Sequence, residues 1–273
     1  MQVHGKTWVV TGGGSGIGRQ LVLQLLDRGA RVAAVDLRAE TLQETASLAG
    51  ADERLSLHVL DITDRDAVAA LPDQVAAAHG AVDGIINNAG IMQPFVQVKD
   101  LDYPTIMRVL DVNLMGTTYM VKAFLPVLLQ RPQAHIANVS SMGGFFPFPG
   151  QTMYGASKAA VKLLTEGLYA ELLDTDVAVS VIMPGGVATN IAENSGVPAM
   201  GAEDSSYPVT PADTAARIML DGIERNKLHI YVGKDALLMS IAIKLAPRRA
   251  IAMVQRQMAK LGAPEVKEAP AVQ

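Results

Sequence analysis

The chain has 273 residues, 49% of them apolar and 18% charged, with a formal net charge of −4 and no cysteine. That length suits one large domain with a sizeable core, and the acidic balance argues against nucleic acid as the main partner, because phosphate binding calls for clustered Lys and Arg. The lack of cysteine excludes disulfides, thiol catalysis and thiolate-held metals, and it suits a reducing, cytoplasmic setting.

Short β-branched runs alternate with longer helical patterns. Thr7 to Val10 reads as a strand, followed by a helix from Gly16 to Arg28. A strand over Arg31–Val35 leads to a helix over Ala39–Leu48. Leu55–Leu60 is the third strand, with a helix from Asp64 to Ala78, and Gly84–Ile86 is the fourth, with one long helix from Tyr103 to Leu129. His135–Val139 is followed by a helix over Met153–Leu173. Val177–Ile182, a helix over Pro211–Arg225 and a seventh strand, Leu228–Val232, complete the series. Strands apolar on both faces alternating with helices imply a parallel sheet covered on both sides, an α/β doubly wound (Rossmann) fold of seven strands. One domain over 1–235 is expected, with a helical extension of that domain over 236–261 and a disordered tail over 262–273. No secretory signal is expected from Met1 to Lys6, and no stretch reaches the roughly 18 apolar residues that span a bilayer.

Thr11-Gly12-Gly13-Gly14-Ser15-Gly16-Ile17-Gly18 lies between the first strand and the first helix. Glycine there permits positive φ, lets the backbone approach a pyrophosphate and lets the helix pack on the strand, while the helix N-terminus offers N–H donors to the anion. Asp36 ends the second strand, where a carboxylate accepts hydrogen bonds from the adenosine ribose and repels a 2′-phosphate. Neither Leu37 nor Ser15 supplies a cation for that phosphate, and Arg38 is two places on. NAD is therefore expected over NADP.

Tyr154 and Lys158 stand four apart in Tyr154-Gly155-Ala156-Ser157-Lys158, on one face of a helix. An ammonium near a phenol favours the phenolate and lowers its pKa, giving a group that moves a proton to or from an alcohol oxygen near neutral pH. With Asn87-Asn88-Ala89-Gly90, Asn113, Ser141 and Pro184-Gly185 in order and spacing, these residues resemble the short-chain dehydrogenase/reductase family from about Gly5 to Asp235. The resemblance implies that Tyr154 is the acid/base, that Lys158 holds the nicotinamide ribose, and that Ser141 polarises the substrate oxygen; alternation beside a strand end turns Ser140 the other way. It implies that Asn113 holds a water linking Lys158 to solvent. Asp61 and Ile62 would contact adenine. Asn88, Ala89 and Gly90 would lie beneath the cofactor, and Pro184, Gly185, Val187 and Thr189 beside the nicotinamide. It also implies a homodimer or homotetramer built on helices 103–129 and 153–173. A sugar epimerase or dehydratase, or a non-catalytic NAD sensor, are the alternative readings.

Phe145, Phe146 and Phe148 fall in the loop between Ser141 and Tyr154. With Met92, Met142, Met153, Ile191 and Met200 they are expected to wall an apolar alcohol or ketone pocket. Residues 190–208 would form a substrate lid. The basic, apolar stretch 236–261 either packs on the pocket, packs on a partner subunit or rests on a membrane surface. The five histidines show no ligand spacing, so no metal site is expected.

Overall fold

The computed structural model describes residues 1–50, 53–197 and 209–260, the side chains of 257–260 aside. Its seven parallel strands run in the order β3-β2-β1-β4-β5-β6-β7. They are β1 (Thr7–Thr11), β2 (Arg31–Asp36), β3 (Leu55–Val59), β4 (Gly84–Asn87), β5 (Ala134–Val139), β6 (Val177–Pro184) and β7 (His229–Val232). The chain winds outward one way from β1 to β3, then returns to the middle and winds the other way from β4. The strand order therefore reverses between β1 and β4, and a crevice opens there beyond the carboxyl ends of the strands.

Helices α1 (Gly16–Asp27), α2 (Ala39–Ala49) and α8 (Ala212–Glu224) accompany one core, in which Leu21, Leu25, Leu42 and Met219 pack on Trp8 and Val10. Helices α3 (Arg65–His79) and α5 (Thr117–Leu128) form the other with Val68, Leu71, Met120 and Phe124 against Val9 and Ile85. Alternate residues of one strand thus feed two different cores, which is why the strands read as continuously apolar. Local signals place the helix ends: Asp64 accepts from the Asp66 and Ala67 N–H groups at the start of α3, and Gly80 at φ +84° ends it.

The helix expected over Tyr103–Leu129 is not continuous. It divides into α4 (Tyr103–Leu110), a π-helical turn over Asp111–Gly116, and α5. A π turn inserts one residue into the 3.6 period, so it re-aims the side chains within it. Asn113 sits in that turn.

Beyond β7, α9 (Lys234–Leu245) and α10 (Pro247–Lys260) meet near Pro247, where the break was expected. They close a third small core with Met142, Phe146, Ala236, Ala250 and Val254. Helix α9 starts at Lys234, and the Asp235 carboxylate accepts from the Gly186 N–H (2.8 Å) after β6.

His135 on β5 is fully buried beside Trp8, ring centroids 6.0 Å apart. Its Nε2 meets the Ser180 hydroxyl at 2.9 Å, and that hydroxyl donates to the Lys227 carbonyl, so the ring proton sits on Nε2. Nδ1 has no partner among the described residues. Burial, with a small push from the N-terminal ammonium, lowers its pKa to about 3. Between pH 6.5 and 3 the unfolded chain therefore binds a proton that the native chain refuses, and stability falls as pH falls through that window. At pH 4 the loss is on the order of 3 kcal/mol. Urea unfolding at pH 7 and pH 4 checks this: His135→Gln should show a smaller difference between the two pH values than the parent, and an equal difference refutes it.

Candidate active site

The crevice above β1 and β4 is a cavity of about 950 Å³. Gly12 (φ +69°) and Gly16 (φ +51°) turn the chain through the left-handed region, and no side chain caps the start of α1. The first-turn N–H groups at Ser15, Gly16 and Ile17 thus remain available at the cavity wall, a donor set that fits a pyrophosphate. Gly14 and Gly18, expected to touch the cofactor, do not line the cavity. A Cβ on Gly18 would collide with the Gly12 carbonyl, and one on Gly14 would meet Thr41. Their absent side chains set the packing of the loop.

Asp36 reaches back to that loop: Oδ2 accepts from the Gly14 N–H at 2.9 Å and Oδ1 from the Arg38 N–H at 3.2 Å. It lines the cavity with Leu37, Asp61 and Ile62. Arg38 lines the same wall, although sequence spacing sets it apart. Its Nη2 donates to Asn194 Oδ1 (2.7 Å), and Asn194 Nδ2 donates to Ser15 Oγ (2.9 Å). The short helix α7 (Ile191–Ser195) is thereby tied to the glycine loop. On its other side, Ser195 Oγ accepts from the Met92 N–H at 2.9 Å.

At the cavity floor, Thr11 Oγ1 accepts from the Asn88 and Ala89 N–H groups (3.0 and 3.1 Å) and joins the ends of β1 and β4. Asn88, Ala89 and Gly90 line the cavity, whereas Asn87 is buried and donates to Asn138 Oδ1 (2.8 Å), a structural role. Pro184, Gly185, Val187 and Thr189 also line the cavity, with Thr189 close to Gly16.

Helix α6 (Thr152–Glu171) carries Tyr154 and Lys158. Its N-terminus is held by a residue that the sequence did not single out. Gln93 is fully buried, and its Oε1 accepts from both the Met153 and Tyr154 N–H groups (2.8 and 2.9 Å). Gly155 lets the helix settle onto the 142–144 turn, since a Cβ there would press on the Gly143 carbonyl. Ser141 and Tyr154 both line the cavity, and Ser141 Oγ accepts from the Gly143 N–H at 3.0 Å. Ser140 points inward and donates to the Lys158 carbonyl at 2.6 Å, as alternation requires.

Lys158 is nearly fully buried and donates from Nζ to the Val139 carbonyl (3.0 Å). Burial lowers its pKa to about 8. The Tyr154 pKa is raised, not lowered as the spacing suggested: burial pushes the phenol up, and the Ser141 hydrogen bond only partly opposes this. Asn113 is fully buried, with Oδ1 accepting from the Ile91 N–H and Nδ2 donating to the Ile91 carbonyl and to Ser157 Oγ. Ser157 Oγ in turn donates to the Tyr154 carbonyl. The amide clamps the segment after β4 to α6.

The apolar wall differs from expectation. Met92, Met142, Phe148 and Ile191 line the cavity, joined by Phe95, Met107, Met239 and Val254. Phe146 is fully buried in the third core, and Phe145 packs edge-on to Tyr231 in the same cluster. Neither lines the cavity, because α9 and α10 cover them; Met153 does not line it either. Met200 lies outside the described residues.

Fold and cleft together define a doubly wound protein with a dinucleotide site. The model of the short chain dehydrogenase family matches residues 6–197. A Mycobacterium tuberculosis protein designated oxidoreductase SadH is 34% identical over 253 residues, which cover 89% of this chain and 91% of its own. FabG of Thermotoga maritima, a 3-oxoacyl-acyl-carrier-protein reductase, is 34% identical over 196 residues, 71% of this chain and 78% of its own. Among solved structures, a short chain dehydrogenase from Burkholderia cenocepacia in complex with NADP superposes with a TM-score of 0.76 at 28% identity, covering 97% of this chain and 100% of the other. One from Burkholderia phymatum in complex with NAD has a TM-score of 0.78 at 24% identity, covering 100% and 99%, and speaks for the fold alone. The chain belongs to the short chain dehydrogenase family and is an oxidoreductase with a nicotinamide-binding fold.

Proposed function

We propose that the protein is an NAD-dependent alcohol dehydrogenase or ketone reductase acting on an apolar substrate, with Tyr154 as acid/base. The observation that carries this reading is that Ser141, Tyr154 and Lys158, the last two one helical turn apart on α6, line one cavity together with Pro184, Gly185, Val187 and Thr189. A bound nicotinamide supplies or accepts the hydride. Ser141 orients the substrate oxygen against the phenol. Tyr154 removes the hydroxyl proton in oxidation and returns it in reduction. Lys158, with its pKa near 8, holds positive charge beside that proton path at neutral pH and exchanges it readily. Asn113, Ser157 and Gln93 keep the helix bearing the phenol in register with the floor of the cavity.

Asp36 supports NAD, because its carboxylate sits where a 2′-phosphate would need a cation. Arg38 on the same wall is already engaged with Asn194, which supports the same choice. Met92, Met107, Phe148, Met239 and Val254 support an apolar substrate. Exposed Tyr103, Met107, Leu163 and Leu173 on α4 and on or beside α6 support a homodimer or homotetramer. A cytoplasmic setting accords with the cysteine-free chain.

The test is a panel of alcohols and ketones, from short polar to long-chain, aromatic and polycyclic, read by nicotinamide absorbance with each cofactor. Bulky apolar substrates should exceed short polar ones in kcat/KM by about tenfold or more, and NAD should exceed NADP by a similar factor, each worth about 1.4 kcal/mol. Preference for small polar alcohols, or for NADP, refutes the corresponding half. Tight NADH binding with no turnover in either direction would instead favour a sensor.

A further inference from the structure

The outer face of α9 is apolar where solvent-facing helices are polar. Its exposed stripe is Lys234, Leu237, Leu238, Ile241, Lys244 and Leu245, a 3–4 repeat along one side. Leu238 and Leu245 are 61% and 80% exposed. The opposite face is accounted for: Ala236 and Ser240 are buried, and Met239 and Ile243 pack on the third core. The stripe is therefore apolar in its middle and cationic at both ends, and exposed Arg248, Arg249 and Arg256 extend the positive charge into α10. The only acid on α9 and α10 is Asp235, which holds the Gly186 N–H. Lys244, Arg248, Arg249 and Arg256 make no ion pair among the described residues, on a chain whose overall charge is −4.

We propose that this face docks on an anionic lipid bilayer, with the leucines entering the acyl boundary and the cations at the headgroups. The charge pattern chooses this occupant over a second copy of the chain. A closed two-fold contact sets a surface against itself, so this face would oppose its own cations with no acid to pair them. A bilayer offers both complements at once: anionic headgroups for Lys and Arg, whose stems snorkel, and hydrocarbon for Leu237, Leu238, Ile241 and Leu245. No helix among the described residues is long and apolar enough to cross a membrane, so the contact is interfacial. Met239 and Val254 on the inner sides of α9 and α10 line the catalytic cavity, so docking sets that cavity next to the lipid. The docking stands without the apolar-substrate reading.

Flotation with vesicles of equal parts phosphatidylcholine and phosphatidylglycerol at low salt tests it, with light scattering for molar mass. The protein should float with these vesicles and not with pure phosphatidylcholine. Arg248→Gln with Arg249→Gln should weaken partition by about 25-fold, roughly fivefold per cation. Leu238→Asp with Leu245→Asp should abolish it while circular dichroism, NADH binding and molar mass stay unchanged. Failure of the folded parent protein to float with anionic vesicles overturns the proposal. So does a drop in molar mass in the leucine variant, which would make the stripe a subunit contact.

Discussion

Tyr154→Phe should lower kcat for every substrate that the parent enzyme turns over by about 10³-fold or more, near 4 kcal/mol of transition-state stabilisation. Phe keeps the ring and its packing beneath Gly143, where a Cβ would touch the Tyr154 ring, and it removes only the oxygen. The NADH dissociation constant should therefore stay within about threefold of the parent value, since the lost group acts on the proton and not on the dinucleotide. The pH profile adds a second reading. Burial raises the phenol pKa, so the phenolate needed to accept a proton becomes more populated as pH rises, and kcat/KM for alcohol oxidation should climb toward alkaline pH. Ketone reduction uses the phenol itself and should not climb with it. A variant that retains a tenth or more of the parent kcat, about 1.4 kcal/mol, or equal alkaline rises in both directions, would remove Tyr154 from the proton path.

The features legible in the sequence are those set by local rules. The β–α alternation and the glycine loop each depend on neighbouring residues, and the sheet order, the left-handed glycines at 12 and 16 and the cavity wall at Ser15 to Ile17 agree with them. The i, i+4 spacing of Tyr154 and Lys158 likewise survives, because α6 runs unbroken through both. Features that depend on distant partners were not legible. Gln93 caps α6 from 60 residues away, and nothing in its own neighbourhood marks it. The π turn at Asp111–Gly116 adds one residue to an otherwise helical period, and its purpose emerges only when Asn113 meets Ile91 and Ser157. Phe145 and Phe146 have the composition of a pocket wall. Only the return of α9 and α10 over them turns them into core and gives their place in the cavity to Met239 and Val254. Arg38 and Asn194 meet because α7 folds back across the glycine loop.

Lys158→Met should make the cofactor-free protein more stable while it disables the enzyme. The Lys158 ammonium lies nearly fully buried, its one hydrogen bond among the described residues goes to the Val139 carbonyl, and burial is the cause of its lowered pKa. A buried charge without a counter-ion costs stability as long as it stays protonated. The native pKa of about 8 lies below the ordinary lysine value of 10.5, so between these two the unfolded chain binds a proton that the native chain has released. Stability from this group therefore rises with pH across that window, and the full cost is present below about pH 8. Met fills a similar volume without charge and leaves only the Val139 carbonyl short of one donor. At pH 7 the variant should gain on the order of 2 kcal/mol, seen as a higher urea midpoint at unchanged slope, and the gain should shrink steadily toward pH 10. A gain that does not vary with pH would come from better packing alone. A loss at pH 7 would show that the ammonium has a compensating partner, and the proton path would then need to include it. On the proposed mechanism, the same burial that weakens the fold brings the Lys158 pKa to about 8, where the group can exchange a proton near neutral pH, so the instability would serve the site's chemistry.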